Sequence, residues 1–343
     1  MILFRHCVDI VLMFWYYFGI LGILVGIKYK YLYFPVIYVD NFNFLERSWL
    51  SYSRDSQKWK MCVKECFCPD SLDQALDYLK QYGSLVSPCA GGTDLLVMMR
   101  KGKSVPRYLM DLSNLALSYI QEHPDHISIG AMTTLSEVEV SPLLMQEPYK
   151  ALQCAAGWVG SPQIRNVATL VGNICTGISS ADAAPPLLTL DARVRIAGQD
   201  GMREVPITEF FVSPRKTVVA PDELACEILL PKLPAKNAHT FFRKVGTRKE
   251  LFISIFNMAA LLNTDGDRVE SVRIAMGLMA PVPIRLYQTE TLLTGNRLTP
   301  QVIDQAIAVM AAETSPRTSY HASKEYRTTL AENMLRRYLS TFS

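Results

Sequence analysis

From Met61 onward the apolar positions fall into short periodic runs. Residues 62–68 read as a short strand. Pro69 to Leu79 reads as a helix: Leu72, Ala75, Leu76 and Leu79 share one face, Ser71 and Gln74 form a capping box, and Gly83 stops it. "LVSPCAGGTDLLVMM" reads as strand, tight turn and apolar helix, and "RYLMDL" (107–112) and "ISIGA" (127–131) as strands. The first unit is therefore short and βαβ-like. Pro148 to Val159 is a small helix with Leu152, Ala155, Ala156 and Val159 on one side. "RVRIA" and "REVPI" pair around Asp200-Gly201, and "ACEILL" adds a strand between Pro221 and Pro231. "LPAKNA" (233–238) reads as a linker. Beyond it "LFISIFNMAALL" and "VESVRIAMGLM" make a second hairpin around "NTDGD". Two helices close the chain. One is capped by Thr299-Pro300 and turns Val302, Ile303, Ala306 and Ile307 inward; the other starts near Ser323 and carries Tyr326, Leu330 and Met334. The order is α+β, with no internal repeat.

Residues 1–60 do not follow this pattern. Ile10 to Ile27 is an unbroken apolar run followed by Lys28 and Lys30. Met61 is the expected start, with 1–60 a non-native extension translated from upstream. The alternative is a membrane anchor through residues 10–27, its C-terminal side in the cytoplasm.

Composition narrows the class. The 343 residues are 49% hydrophobic and 20% charged, enough to fill a core, and a net charge of +3 argues against a nucleic-acid partner. The eight cysteines are scattered and do not form a secreted disulfide framework. Cys62, Cys66 and Cys68 are the only grouping that suggests a metal; lacking a fourth ligand, they read as half-buried thiols, so no metal site is expected.

Two stretches are rich in small residues. "AGGTD" (Ala90 to Asp94) sits at a strand-to-helix turn, where adjacent glycines admit positive φ and close ligand approach and Thr93 adds a hydroxyl. "ATLVGNICTGISSADAAPPLL" (Ala168 to Leu188) offers Thr169, Gly172, Asn173, Ser179, Ser180 and Asp182, then Pro185 and Pro186 for the first turn of a helix. Small residues permit close approach, polar ones fix orientation, and Asp182 can hold a ribose or ribityl hydroxyl. There is no complete G-x-G-x-x-G, no P-loop and no Ser/His/Asp arrangement, so a cofactor would be held outside a Rossmann frame.

"AGGTDLL", "GSPQIRNVATLVGNICTGISSADAAPPLLTLDA", "FFRKVGTRKELFISIFNMAALL", "APVPIR" and "HASKEYR" together resemble the FAD-binding subunit of molybdenum hydroxylases, the xanthine dehydrogenase and carbon monoxide dehydrogenase medium-chain family. The resemblance covers Met61 to the C-terminus. It implies a two-part FAD-binding domain of the PCMH type, similar to vanillyl-alcohol oxidase, over 61–235 (parts about 61–115 and 116–235), and a small α+β C-terminal domain over 236–343. By matched position, Ala90, Gly91, Gly92, Thr93, Asp94 and Leu95 would bind the pyrophosphate. Val159 and Gly160 would approach FAD; Thr169, Gly172, Asn173 and Cys175 would line it, with Asp182 on a sugar-chain hydroxyl. Lys244 matches a family lysine near the flavin and is the catalytic candidate, unless it is a surface lysine on a strand edge; Arg248 matches a recurrent arginine. The family usually has two glycines in T-x-G-G-N. Here Val171 replaces the first, and its Cβ is expected to crowd the loop or the cofactor.

The resemblance further implies a cytoplasmic oxidoreductase chain that passes electrons from iron–sulfur clusters through FAD to NAD+. Its partners would be a molybdenum-cofactor-binding large subunit and a [2Fe–2S] small subunit. The same fold also serves hydroxylases of carbon monoxide, nicotinate or aromatic acids. A cofactor-free docking subunit is the alternative of another class.

Overall fold

The computed structural model describes residues 63–248, 251–266 and 268–342, all within one compact unit, Met61–Ser343. The apolar run at 10–27 and the proposed start at Met61 lie outside the described residues. No helix among those described is long and apolar enough to cross a membrane.

The chain opens with β1 (Glu65–Phe67), α1 (Leu72–Tyr82), β2 (Val86–Cys89), α2 (Leu95–Arg100) and β3 (Tyr108–Asp111). These strands form a parallel sheet in the order β1-β3-β2. α1 buries Ala75, Leu76 and Leu79 beside Met110 of the central strand, a small core of its own. The Ser71 hydroxyl caps α1 by accepting from Gln74 N at 3.3 Å, and Gly83 ends it at φ +48°. The expected capping box is half formed: Gln74 Oε1 takes the N–H of Asp70, one residue before the cap.

Next come β4 (Ile120–Glu122), β5 (His126–Gly130), α3 (Leu135–Val140), α4 (Lys150–Gly157), α5 (Pro162–Arg165), α6 (Leu170–Cys175) and α7 (Ala184–Thr189). They are followed by β6 (Arg193–Gly198), β7 (Gly201–Pro206), α8 (Ile207–Phe210), β8 (Phe211–Ser213), β9 (Lys216–Thr217) and β10 (Leu224–Pro231). The large antiparallel sheet runs β4-β5-β10-β6-β7. One face alternates Ile127, Ile129, Val194, Ile196, Ile228 and Leu230 inward, against helices that supply Leu135, Leu152, Leu170 and Leu187. The opposite face reaches the small sheet through Ala197, Leu224 and Cys226, which join the first core. The period of two thus binds one sheet to two neighbours.

The last part holds β11 (Ala238–Val245), β12 (Phe256–Asp265), β13 (Arg268–Gly277), β14 (Ile284–Arg285), α9 (Tyr287–Leu293), α10 (Pro300–Glu313) and α11 (Lys324–Leu339). Its antiparallel sheet runs β11-β12-β13-β14 and packs on α9, α10 and α11 around a separate core. The α+β reading and the two-part first region stand. One expectation is corrected. β12 starts at Phe256, because Leu251 takes a left-handed φ of +52° that breaks an extended strand. α11 starts after its cap Ser323 and carries Tyr326, Leu330 and Met334 as expected; it buries Arg327, Ala331, Leu335, Tyr338 and Leu339, with Leu330 and Met334 flanking the core and Tyr326 51% exposed.

Candidate functional site

The turn between β2 and α2 and the entry to α6 meet face to face. Gly92 takes φ +66°, a left-handed value that favours glycine. Gly91 is required for another reason. A Cβ there would lie 1.8 Å from the carbonyl oxygen of Val167, so the two small-residue loops touch backbone to backbone. Asp94, at the end of the first loop, pairs with Arg215 at 3.2 Å.

α6 is divided by size. Thr169 caps it, its hydroxyl accepting from Gly172 N at 3.0 Å, and a Cβ on Gly172 would lie 2.8 Å from that hydroxyl. Leu170, Val171 and Ile174 enter the main core. Val171 is 3% exposed and has no positive φ; it packs in that core and also lines the cleft described next. Gly172, Asn173, Cys175 and Thr176 line a cleft of about 740 Å³. Asn173 Oδ1 is buried with no hydrogen-bond partner among the described residues. Cys175 reaches solvent from the cleft floor but is walled in by protein, which pushes its thiol up to about 12.

Ala90, Gly91, Gly92, Thr93, Asp94 and Leu95 form one wall of the cleft, and Val159, Thr169, Gly172, Asn173 and Cys175 lie along it too. The structure therefore gathers residues from two stretches about eighty positions apart. It also adds residues that the sequence reading missed. Ile164, Ile178, Arg215, Thr217, Ala220 and Glu223 are among them. Arg215 sits at φ +62° and its N–H donates to Gly177 O at 2.7 Å. Only "SPR", a turn-like tripeptide, marks it in the sequence. Glu223 accepts from Arg203 Nε and Nη2, each at 2.7 Å, and from Ala220 N at 2.8 Å. The guanidinium of Arg203 draws the Glu223 carboxyl below its ordinary value.

Three expected residues lie off the cleft. Gly160 turns the chain at φ +55° just past Val159. Asp182 is 5% exposed, and both oxygens are engaged within the chain: Oδ1 accepts from Ser254 Oγ at 2.5 Å and Asn257 Nδ2 at 2.8 Å, Oδ2 from Lys244 Nζ at 2.6 Å. Lys244 also donates to Trp158 O at 3.0 Å, and its ammonium lies 4.8 Å from the centre of the Phe252 ring. It sits on an edge strand yet is 6% exposed, because α4 and the Trp158 turn cover it; the surface-lysine alternative is overturned. Arg248 donates to Leu251 O within its own loop at 2.9 Å. Among the described residues no three His, Cys, Asp or Glu side chains converge as metal ligands.

A glycine-lined cleft holding one unsatisfied amide oxygen fits a long, polar cofactor that lies against backbone. Such a cleft between a small parallel sheet and a larger antiparallel one defines a cofactor-binding module of mixed α/β class. The family described as the FAD binding domain in molybdopterin dehydrogenase matches residues 60–233, and the CO dehydrogenase flavoprotein C-terminal domain matches 241–342. The xanthine dehydrogenase FAD-binding subunit of Escherichia coli O157:H7 is 34% identical over 73% of this chain and 86% of its own. The nicotinate dehydrogenase FAD-subunit of Eubacterium barkeri is 31% identical over 72% and 84%. Reconstituted CO dehydrogenase from Oligotropha carboxidovorans contains a chain with the same fold, at TM-score 0.76 and 28% identity over 80% of this chain and 95% of that one. The chain belongs to the family of FAD-binding subunits of molybdenum hydroxylases, and is an FAD-dependent oxidoreductase subunit.

Proposed function

We propose that this chain is the FAD subunit of a xanthine dehydrogenase-like complex with NAD+ as electron acceptor. The observation that carries the reading is the cleft where Gly91 meets Val167 and Asn173 offers an unpaired buried oxygen. The 34% identity to a xanthine dehydrogenase subunit favours that hydroxylase over the nicotinate type at 31%. Val171 lines the cleft without backbone strain and the cleft stays open beside it, which favours a cofactor chain over a cofactor-free docking role.

In this reading the Ala90–Leu95 loop holds the pyrophosphate, and Val159, Gly160, Thr169, Gly172, Asn173 and Cys175 hold the remainder of FAD. Bound FAD would supply two-electron chemistry, fed singly by iron–sulfur donors on a partner chain and discharged as hydride to NAD+. Lys244 lies one residue behind the cleft wall, bonded to the carbonyl of Trp158 beside Val159, where its charge favours electron density on the cofactor. Asp182 holds that ammonium in place instead of taking a sugar hydroxyl as first expected. The partners are a molybdenum-cofactor subunit and a [2Fe–2S] subunit. The six described cysteines are free, as a cytoplasmic chain keeps them. The FAD-binding part ends near residue 235, between β10 and β11, where a largely separate core supports the boundary, and divides near 115, between β3 and β4, where one sheet gives way to another.

The test is the absorption spectrum of the purified chain after reconstitution with FAD and desalting. Retained flavin bands that weaken in Asn173→Leu, and bleaching by NADH, are expected. No retained flavin in the wild-type chain, even with partner chains present, overturns the reading.

A further inference from the structure

Arg327 lies on the first turn of α11 and is only 2% exposed. A guanidinium buried this deeply is normally matched by a carboxylate. Among the described residues none pairs with it. Nη1 donates to the carbonyl of Ile255, Nη2 donates to Ser319 Oγ at 2.8 Å, and Nε has no partner. Burial pushes its pKa down, and the like charge of Arg317 adds to that. The fold therefore bears the cost of a desolvated cation, and the groups it grips show what it secures.

Ile255 is held from both sides. Its N–H donates to Val245 O at 2.8 Å, next to Lys244, and its carbonyl takes Arg327. Its neighbour Ser254 and, two residues on, Asn257 are the two donors to Asp182 Oδ1. Asp182 in turn holds Lys244. One guanidinium thus fixes the segment that sets both the carboxylate and, through it, the ammonium. Space is tight there: a Cβ on Gly277 would lie 2.0 Å from Asn257 Oδ1. A small slip at Ile255 has no slack to absorb it.

We propose that Arg327 is a positioning residue for the buried Lys244–Asp182 pair, acting through the backbone of Ile255. This rests on the reading of Lys244 as the charge that favours electron density on the flavin.

The test is the midpoint potential of FAD bound to the full chain, in a double-mutant cycle of Lys244→Met and Arg327→Met. Melting temperatures of the same proteins before FAD addition are measured alongside. Lys244→Met is expected to lower the potential. Arg327→Met is expected to shift it in the same direction, with no further shift in the double variant and partial recovery in Arg327→Lys. Tyr338→Phe, which removes a bond from the same helix to His239 O, is the control: it should lower the melting temperature and leave the potential alone. A shift in Arg327→Met that adds to that of Lys244→Met, or no shift at all, overturns the proposal while leaving Lys244 in its role. No shift in Lys244→Met overturns the role of Lys244 and this proposal with it. If Arg327→Met does not fold, Ser319→Ala frees one edge of the guanidinium and enters the same cycle with the same outcomes.

Discussion

Lys244 Nζ lies 2.6 Å from Asp182 Oδ2, and the two side chains are 3% and 7% exposed. They are 62 positions apart, one on an edge strand and one in the loop before α7. Removing either partner strands a desolvated charge, which costs about 3–5 kcal/mol for a pair of this kind. Lys244→Met and Asp182→Leu should each lower the melting temperature sharply. The double variant should cost less than the sum, because no charge is left unmatched. Thermal unfolding of the four proteins checks this.

The two glycines of the first loop should behave differently. Gly92→Ala forces an L-residue into a left-handed position, at about 1–2 kcal/mol. Gly91→Ala puts a carbon 1.8 Å from Val167 O, a collision with backbone that only separation of the loops relieves. FAD affinity should therefore fall far more in Gly91→Ala than in Gly92→Ala, measured by fluorescence quenching on reconstitution.

Cys175 is reachable but protonated at neutral pH, since the walls of the cleft push its thiol up to about 12. Iodoacetamide should label it slowly at pH 7 and progressively faster as pH rises toward 12. Bound FAD should protect it. Rapid labelling at pH 7, read by mass spectrometry of the Cys175 peptide, would contradict this account.

Glu223 closes the cleft beside Ala220 and is held by Arg203. Its folded pKa is lowered from 4.5, so the unfolded chain binds its proton first as pH falls. The stability that it contributes is present above pH 4.5 and is lost as pH falls through the lower folded value. Glu223→Gln should flatten the melting curve against pH in that acid window only. Arg203 is 43% exposed, so solvent screening keeps the effect small.

The sequence by itself determined much of this protein. Period-two runs in Ile127–Ile129, Val194–Ile196 and Ile228–Leu230 place strands, because a half-buried sheet must alternate. Ser71, Thr299 and Ser323 mark helix starts, because each hydroxyl satisfies a nearby backbone N–H. The two small-residue loops pointed to a cofactor, because close approach needs missing side chains. Tertiary structure decided the rest. Arg215, Thr217 and Glu223 enter the cleft only because β9 and the approach to β10 fold across it, and no local periodicity records that. Val171 reads along the chain only as a departure from glycine, and its helix sets it in the core at the edge of the cleft. Lys244 and Asp182 stand out along the chain as site candidates, but nothing there pairs them with each other or marks Arg327. Their burial is a property of the packed whole: the sheet edge, the Trp158 turn and the start of β12 must all be in place before any of the three loses its water.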